Sequence, residues 1–283
     1  MSTIVVIGAN GQLGRDLCSR LPDSTRRLTR ADLDLSNASS ISSVLTALQP
    51  GIVINCAAYN FVDKAEDEVT AAFAINAFAV KHLADTCRQL GAVLVHFSTD
   101  YVFGLEGFRP QPYSESDAPG PVSVYGLSKL TGEYFVRSLC SKHFVIRTCG
   151  LYGHHGVGGK GGNFVETMLR IAAQGKSLKV VEDQILTPTS TADLAAAVPV
   201  LIEEAPFGLY HLTNAGQCSW HEFAATIFEL AGVKADLSPI SSADYGSKAR
   251  RPDFSVLTTE HKQAPRLRHW REALAEYMKG RIV

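Results

Sequence analysis

The chain has 283 residues, 46% apolar and 19% charged, with a formal net charge of −1. That length can bury a core without disulfide support, as one large domain or two modest ones. The near-neutral balance gives no electrostatic reason to expect nucleic acid or an anionic membrane as partner.

The opening "MSTIVVIGANG" reaches a glycine turn after one short apolar run. It is too short to span a bilayer and lacks the basic stretch of a signal peptide, so no membrane association is expected. Cys18, Cys56, Cys87, Cys140, Cys149 and Cys218 are scattered without ligand spacing. They read as reduced thiols of a cytoplasmic protein, and no metal site is expected. His154 and His155 are adjacent, which does not converge two rings on one ion.

Residues 1–150 alternate short β-branched runs with helical patterns. "TIVVIGA" is continuously apolar, as in a strand covered on both faces. "GQLGRDLCSRL" follows with Leu13, Leu17 and Leu21 at helical spacing. "TRRLTR", "IVINCAA" (52–58), "AVLVHFST" (92–99) and "KHFVIRTCGLYG" (142–153) supply further strands. A helix over 71–90 closes at Gly91. Strands alternating with helices predict a Rossmann-type doubly wound parallel sheet, class α/β.

Past Gly153 the texture changes. "GHHGVGGKGGN" (153–163) is too glycine-rich to be regular. Asn163 is placed to cap a helix, and Ser219 with Glu222 makes a capping box for another. "SLKVVEDQ" and "GLYHLTN" read as short strands, and "WREALAEYMKG" as a terminal helix. Residues 151–283 are therefore expected to be mainly a smaller substrate-binding lobe, with elements free to return to the sheet. Trp220 and His221 open a helix and read as packing residues. Phe61 and Val62 line either a pocket or the core.

Gly8, Gly11 and Gly14 follow the first strand and begin a helix, where backbone N–H groups and a helix terminus can meet a pyrophosphate. Where an acid would take a ribose 2′-hydroxyl stand Thr29 and Arg30. Arg30 suits a 2′-phosphate, which favours NADPH and leaves NADH open. Thr99 ends a strand at the edge where such sheets bind ligands. Tyr125 and Lys129, one helical turn apart, share a face. Together they form a proton-transfer set: Tyr125 protonates an alkoxide, Thr99 orients a carbonyl, and the Lys129 charge would lower the phenol pKa.

The glycine turn, Thr99 and Tyr125-x-x-x-Lys129 resemble an extended short-chain dehydrogenase/reductase. "GANGQLG", "NCAAYNFVDKAE", "STDYVF", "YGLSKLTGE", "NFVETMLR", "DQILTPT" and "GLYHLTN" resemble the dTDP-4-dehydrorhamnose reductase family over nearly the whole chain. The resemblance implies that Gly11, Gln12 and Leu13 line the pyrophosphate. It places Asp34 and Leu35 beside the adenine, and Ala57, Ala58 and Tyr59 along the ribose and diphosphate. Tyr125 would be the proton donor, Lys129 its cofactor-binding partner, and Thr99 and Asp100 sugar contacts.

Further roles follow with alternatives open. Asn163 is taken as a substrate residue, and Arg251 as a ligand for the nucleotide diphosphate or a surface charge. Lys160 is similarly placed. Asn76 matches a superfamily asparagine of a proton relay, or else caps a neighbouring turn. The implied reaction is NAD(P)H-dependent reduction of the 4-keto group of a dTDP-linked 4-keto-6-deoxysugar, dTDP-4-dehydro-L-rhamnose. Rivals are another nucleotide-sugar reductase, epimerase or dehydratase of the superfamily, or a non-catalytic subunit similar to the regulatory subunit of methionine adenosyltransferase. A homodimer is open. Two departures, Gly150 in place of a frequent tryptophan and the glycine-rich stretch after it, fall where the sugar would sit.

Overall fold

The computed structural model describes residues 3–155 and 162–281. In chain order the first half comprises β1 (Ile4–Ile7), α1 (Gln12–Arg20), β2 (Arg26–Leu28), α2 (Ala38–Leu48) and β3 (Ile52–Asn55). Then come α3 (Val62–Ala65), α4 (Val69–Phe73), a π-helical turn (Ala74–Phe78), α5 (Ala79–Leu90) and β4 (Val93–Thr99). α6 (Val124–Leu139) and β5 (His143–Thr148) complete it.

The second half comprises β6 (Leu151–Tyr152), α7 (Phe164–Ala172), β7 (Leu178–Val181), β8 (Ile185–Leu186) and β9 (Thr189–Ser190). It continues with α8 (Thr191–Glu204), β10 (Gly208–His211), β11 (Cys218–Ser219) and α9 (Trp220–Ala231). β12 (Leu237–Ile240), α10 (Ser242–Tyr245) and α11 (Trp270–Lys279) follow.

Six strands form one parallel sheet in the order β2-β1-β3-β4-β5-β10. The apolar runs are continuous because both faces are covered. Val5 and Ile7 of β1 join a core under α2 and α5, while Val6 joins a second core with Leu17, Leu194 and Val198 of α1 and α8. β10, late in the chain, pairs with β5, and α8 packs on α1. β2 and β3 lie on opposite sides of β1, so the carboxyl ends of β1 and β3 open the crevice where such sheets take ligands.

The remaining strands form two-stranded pairs, β6 with β9, β7 with β12 and β8 with β11. Beside them α7, α9 and α11 close over Phe223, Trp270 and Leu274, all buried. Caps fall where the sequence places them. Asn163 accepts from Glu166 N at 3.0 Å, Ser219 from Glu222 N at 3.0 Å, and Gly91 closes α5 at φ +68°.

Candidate active site

The crevice begins at the glycine turn. Gly8 has φ +75°, and a Cβ there would lie 2.9 Å from Ala57 N. A Cβ on Gly14 would lie 2.2 Å from Gly8 O, so α1 packs against the turn only without a side chain. Gly8 N and Ala9 N donate to Leu28 O, tying the turn to the end of β2. Gly11 caps α1 with no side-chain bond, which leaves the helix terminus to an anionic ligand. Gln12 donates to Leu151 O at 3.1 Å, while its Oε1 is buried without a partner.

On the facing edge, Asn55 accepts from Ala57 N and binds the His96 ring, fixing the chain after β3. Asn76, in the π-helical turn, accepts from Tyr59 N at 2.9 Å and donates to Tyr59 O at 2.8 Å and Ser128 Oγ at 3.0 Å. Ser128 in turn donates to Tyr125 O at 2.7 Å. Of the two sequence readings of Asn76, the geometry matches the holding of a neighbouring turn. It links the Tyr59 loop to the tyrosine helix.

That helix, α6, starts at Ser123, whose hydroxyl accepts from Gly126 N at 3.2 Å. A Cβ on Gly126 would lie 2.1 Å from Tyr101 O, so α6 is pressed against the turn after β4. The Tyr125 ring meets Tyr101 edge-on at 5.8 Å. A cleft of about 830 Å³ runs from Gly11 and Gln12 to Thr99 and Tyr125. A second cavity of about 290 Å³ shares Thr99, Asp100, Tyr125, Cys149, Gly150 and Leu151 with it. Its far wall is Val62, Gln184, Ile185, Leu186, Trp220 and Ser255.

Burial pushes the Tyr125 phenol up to about 12, against a hydrogen bond with Thr99. The phenol is therefore protonated at neutral pH. The sequence spacing suggests that the Lys129 charge lowers the phenol pKa; the phenol instead stands raised, and the ammonium donates to Phe97 O at 2.6 Å. Burial of Lys129 drops its own pKa to about 8, with Glu133 opposing. Thr99 accepts from Tyr101 N at 3.2 Å and donates to Asp100 Oδ1 at 3.1 Å. Asp100 is buried and also receives Cys149 Sγ at 3.0 Å. Burial raises its carboxyl pKa, against bonds from Cys149, Ser255 and Thr99.

Other residues of the sequence reading are placed less uniformly. Leu13 and Leu35 are buried in the core, and Ala58 is exposed. Asp34 is exposed, accepts from Ser36 N at 3.0 Å, and its pKa is lowered by that bond and more weakly by Arg30. Arg30 is exposed beyond β2, where Asp32 also folds back onto Thr29. Asn163 lines the cleft, but its amide donates to Gly153 O at 2.9 Å and its oxygen caps α7.

Arg251 lines neither cavity. Its guanidinium pairs with Asp63 at 2.7 and 3.1 Å and binds Tyr101 from behind. An ion pair already satisfies the fork that the sequence reading offered to a diphosphate. Lys160 lies outside the described residues. Among the described residues no cluster of three or more His, Cys, Asp or Glu is placed to hold a metal.

Comparisons with known proteins bear on this geometry. A family model described as the RmlD substrate binding domain matches residues 1–282. The spore coat polysaccharide biosynthesis protein SpsK of Bacillus subtilis is 41% identical over 99% of this chain and 98% of its own. A dTDP-4-dehydrorhamnose reductase of Streptomyces griseus is 40% identical over 96% and 91%. The solved dTDP-4-dehydrorhamnose reductase of Bacillus anthracis in complex with NADP has a TM-score of 0.91 at 38% identity, over 99% of both chains. A UDP-glucose 4-epimerase of Thermus thermophilus shares the fold alone, at TM-score 0.78 and 16% identity.

Sheet order, glycine turn and tyrosine helix define a Rossmann-type α/β protein of the extended short-chain dehydrogenase/reductase architecture. Within that class, the chain belongs to the RmlD substrate-binding-domain family.

Proposed function

We propose that the protein is an NADPH-dependent oxidoreductase that reduces the 4-keto group of dTDP-4-dehydro-L-rhamnose to give dTDP-L-rhamnose. The observation that carries this reading is the shared wall. The Tyr125 phenol and Thr99 hydroxyl stand where a long cleft meets a small pocket. The long cleft suits a dinucleotide: Gly11 at the open terminus of α1 and Gln12 with its unpartnered Oε1 border it. Relatives named dTDP-4-dehydrorhamnose reductase, and one solved with NADP, support the choice of sugar and cofactor.

When bound, the nicotinamide supplies the hydride for the keto carbon. Tyr125, held as a phenol by burial, gives its proton to the oxygen that becomes the hydroxyl. Thr99 turns its one hydroxyl proton, which goes to Asp100 Oδ1 in the absence of ligand, toward that oxygen and fixes its direction. Lys129, buried behind Tyr125, anchors the end of β4 through Phe97 O and would turn its ammonium to the nicotinamide ribose when the cofactor binds. Gly11 and Gln12, which line the cleft, would hold the pyrophosphate, with Gly8 and Gly14 shaping the turn behind them and the Ala57–Tyr59 segment beside it. A cytoplasmic location and a homodimer belong to the same proposal. No helix among the described residues is long and apolar enough to cross a membrane.

The assay is loss of NADPH absorbance with dTDP-4-dehydrorhamnose generated in place, run beside NADH and other nucleotide keto-sugars. Turnover with that sugar is expected. Tightly retained NAD⁺ and no net NADPH oxidation would overturn the proposal.

A further inference from the structure

The small pocket is two-faced. Thr99, Asp100, Gln184 and Ser255 supply polar groups, while Val62, Ile185, Leu186 and Trp220 supply an apolar side. Trp220 is the largest apolar side chain on that side. Its backbone is fixed because Ser219 pairs with Ile185 across β11 and β8 and caps α9. Its ring rests on Phe164 at 4.6 Å and Phe223 at 6.4 Å, yet part of it stays exposed. On the wall shared with the cleft, Gly150 contributes no side chain. It sits at φ +54°, and a Cβ would lie 3.1 Å from Leu186 and 3.2 Å from Pro188. The flat apolar surface therefore comes from α9.

We propose that Trp220 is a specificity-determining residue, whose indole face receives the methyl end of a 6-deoxysugar and disfavours its 6-hydroxy counterpart. The inference rests on the nucleotide-sugar reading above and deepens it. A polar sugar rim would face Thr99, Asp100 and Gln184, and its one methyl group would face the ring. Burying a hydroxyl against indole leaves that hydroxyl without a partner, a difference typically worth roughly 10- to 200-fold in selectivity.

The chain has two tryptophans, and Trp270 is only 1% exposed, so a ligand-dependent emission change reports mainly on Trp220. The probes are dTDP-L-rhamnose and dTDP-L-mannose, which differ only at C6, titrated into the full chain with saturating NADP⁺. Wild type should show quenching and bind the 6-deoxysugar at least tenfold more tightly. Trp220→Phe should lose the quench and keep most of the preference. Trp220→Ala should bring the two affinities within about twofold, with NADPH affinity unchanged.

A quench that survives in Trp220→Phe, or undiminished discrimination in Trp220→Ala, overturns the proposal. If the Ala variant does not fold, Trp220→Gln decides the matter: a polar side chain there should bring the two affinities within about twofold, and undiminished discrimination overturns the proposal. Wild-type protein that neither reduces the keto-sugar nor binds either dTDP-sugar removes the parent reading as well. Wild-type turnover with unaltered variants removes only the role of Trp220.

Discussion

The two cavities are built differently. The long cleft is anchored at one end on main chain, the glycine turn whose missing side chains let β1, α1 and the chain after β3 approach one another. Gly11, Gly150 and Gly162 line it among polar side chains such as Asn10, Gln12 and Arg15. The small pocket is mostly side chains, gathered from residues as distant as Val62, Gln184, Trp220 and Ser255. A backbone surface suits a ligand part common to many enzymes, whereas a side-chain surface can be altered one residue at a time. The cofactor half should thus be intolerant and generic, and the sugar half tolerant and particular. Tyr125 and Thr99 sit on the seam and serve both.

Substitutions can break that contrast. Tyr125→Phe should lower kcat by about 10²–10⁴-fold, the usual worth of a positioned general acid, and leave the binding of either ligand nearly intact. Near-normal turnover in that variant would remove the phenol from the reaction.

Lys129 gives the next effect. Burial lowers its pKa from 10.5 to about 8, so between those values the unfolded chain binds a proton that the folded chain has released. Stability then rises with pH across that window, and the full cost of the buried charge is felt below it. The stability of wild type relative to Lys129→Met should climb by on the order of 3 kcal/mol between pH 8 and pH 10.5. Denaturant titrations showing a flat difference would mean the ammonium is hydrated.

Gly14→Ala forces a Cβ toward Gly8 O and should cost about 1–3 kcal/mol in stability. It should also weaken NADPH roughly tenfold while sparing the dTDP-sugar. An equal loss for both ligands, by calorimetry, would erase the distinction between the cavities. Asp63→Ala is the mirror case and the mildest. Its pair with Arg251 is partly exposed, so unfolding should change by about 1 kcal/mol or less. The sugar KM should rise two- to threefold as Tyr101 loosens, with NADPH unaffected.

Legibility followed the same division. The run Ile4–Ile7, the glycine turn and Tyr125 with Lys129 are local patterns, and so are the caps at Asn163 and Ser219. The wall of the small pocket is not local. Trp220 reads as packing because it does pack, and no spacing links it to Gln184 or Ser255. α8 is obscured by Pro199 within its span, and α2 by its serines. The π-helical turn at Asn76 interrupts what reads as one helix over 71–90. Arg251 has the chemistry for a diphosphate, but sequence cannot reveal that Asp63 already occupies it. Nor can it reveal that the Lys129 ammonium donates to Phe97 O.

The late return of the chain to the sheet has a consequence for dissection. Because α8 covers Leu17 and β10 hydrogen-bonds along β5, a fragment ending at residue 150 would leave a bare edge strand and an uncovered apolar face. Such an excised half should aggregate rather than fold. Swapping sugar preference between homologues therefore calls for grafting the pocket segments around 184, 220 and 255 into an intact chain, not for exchanging halves.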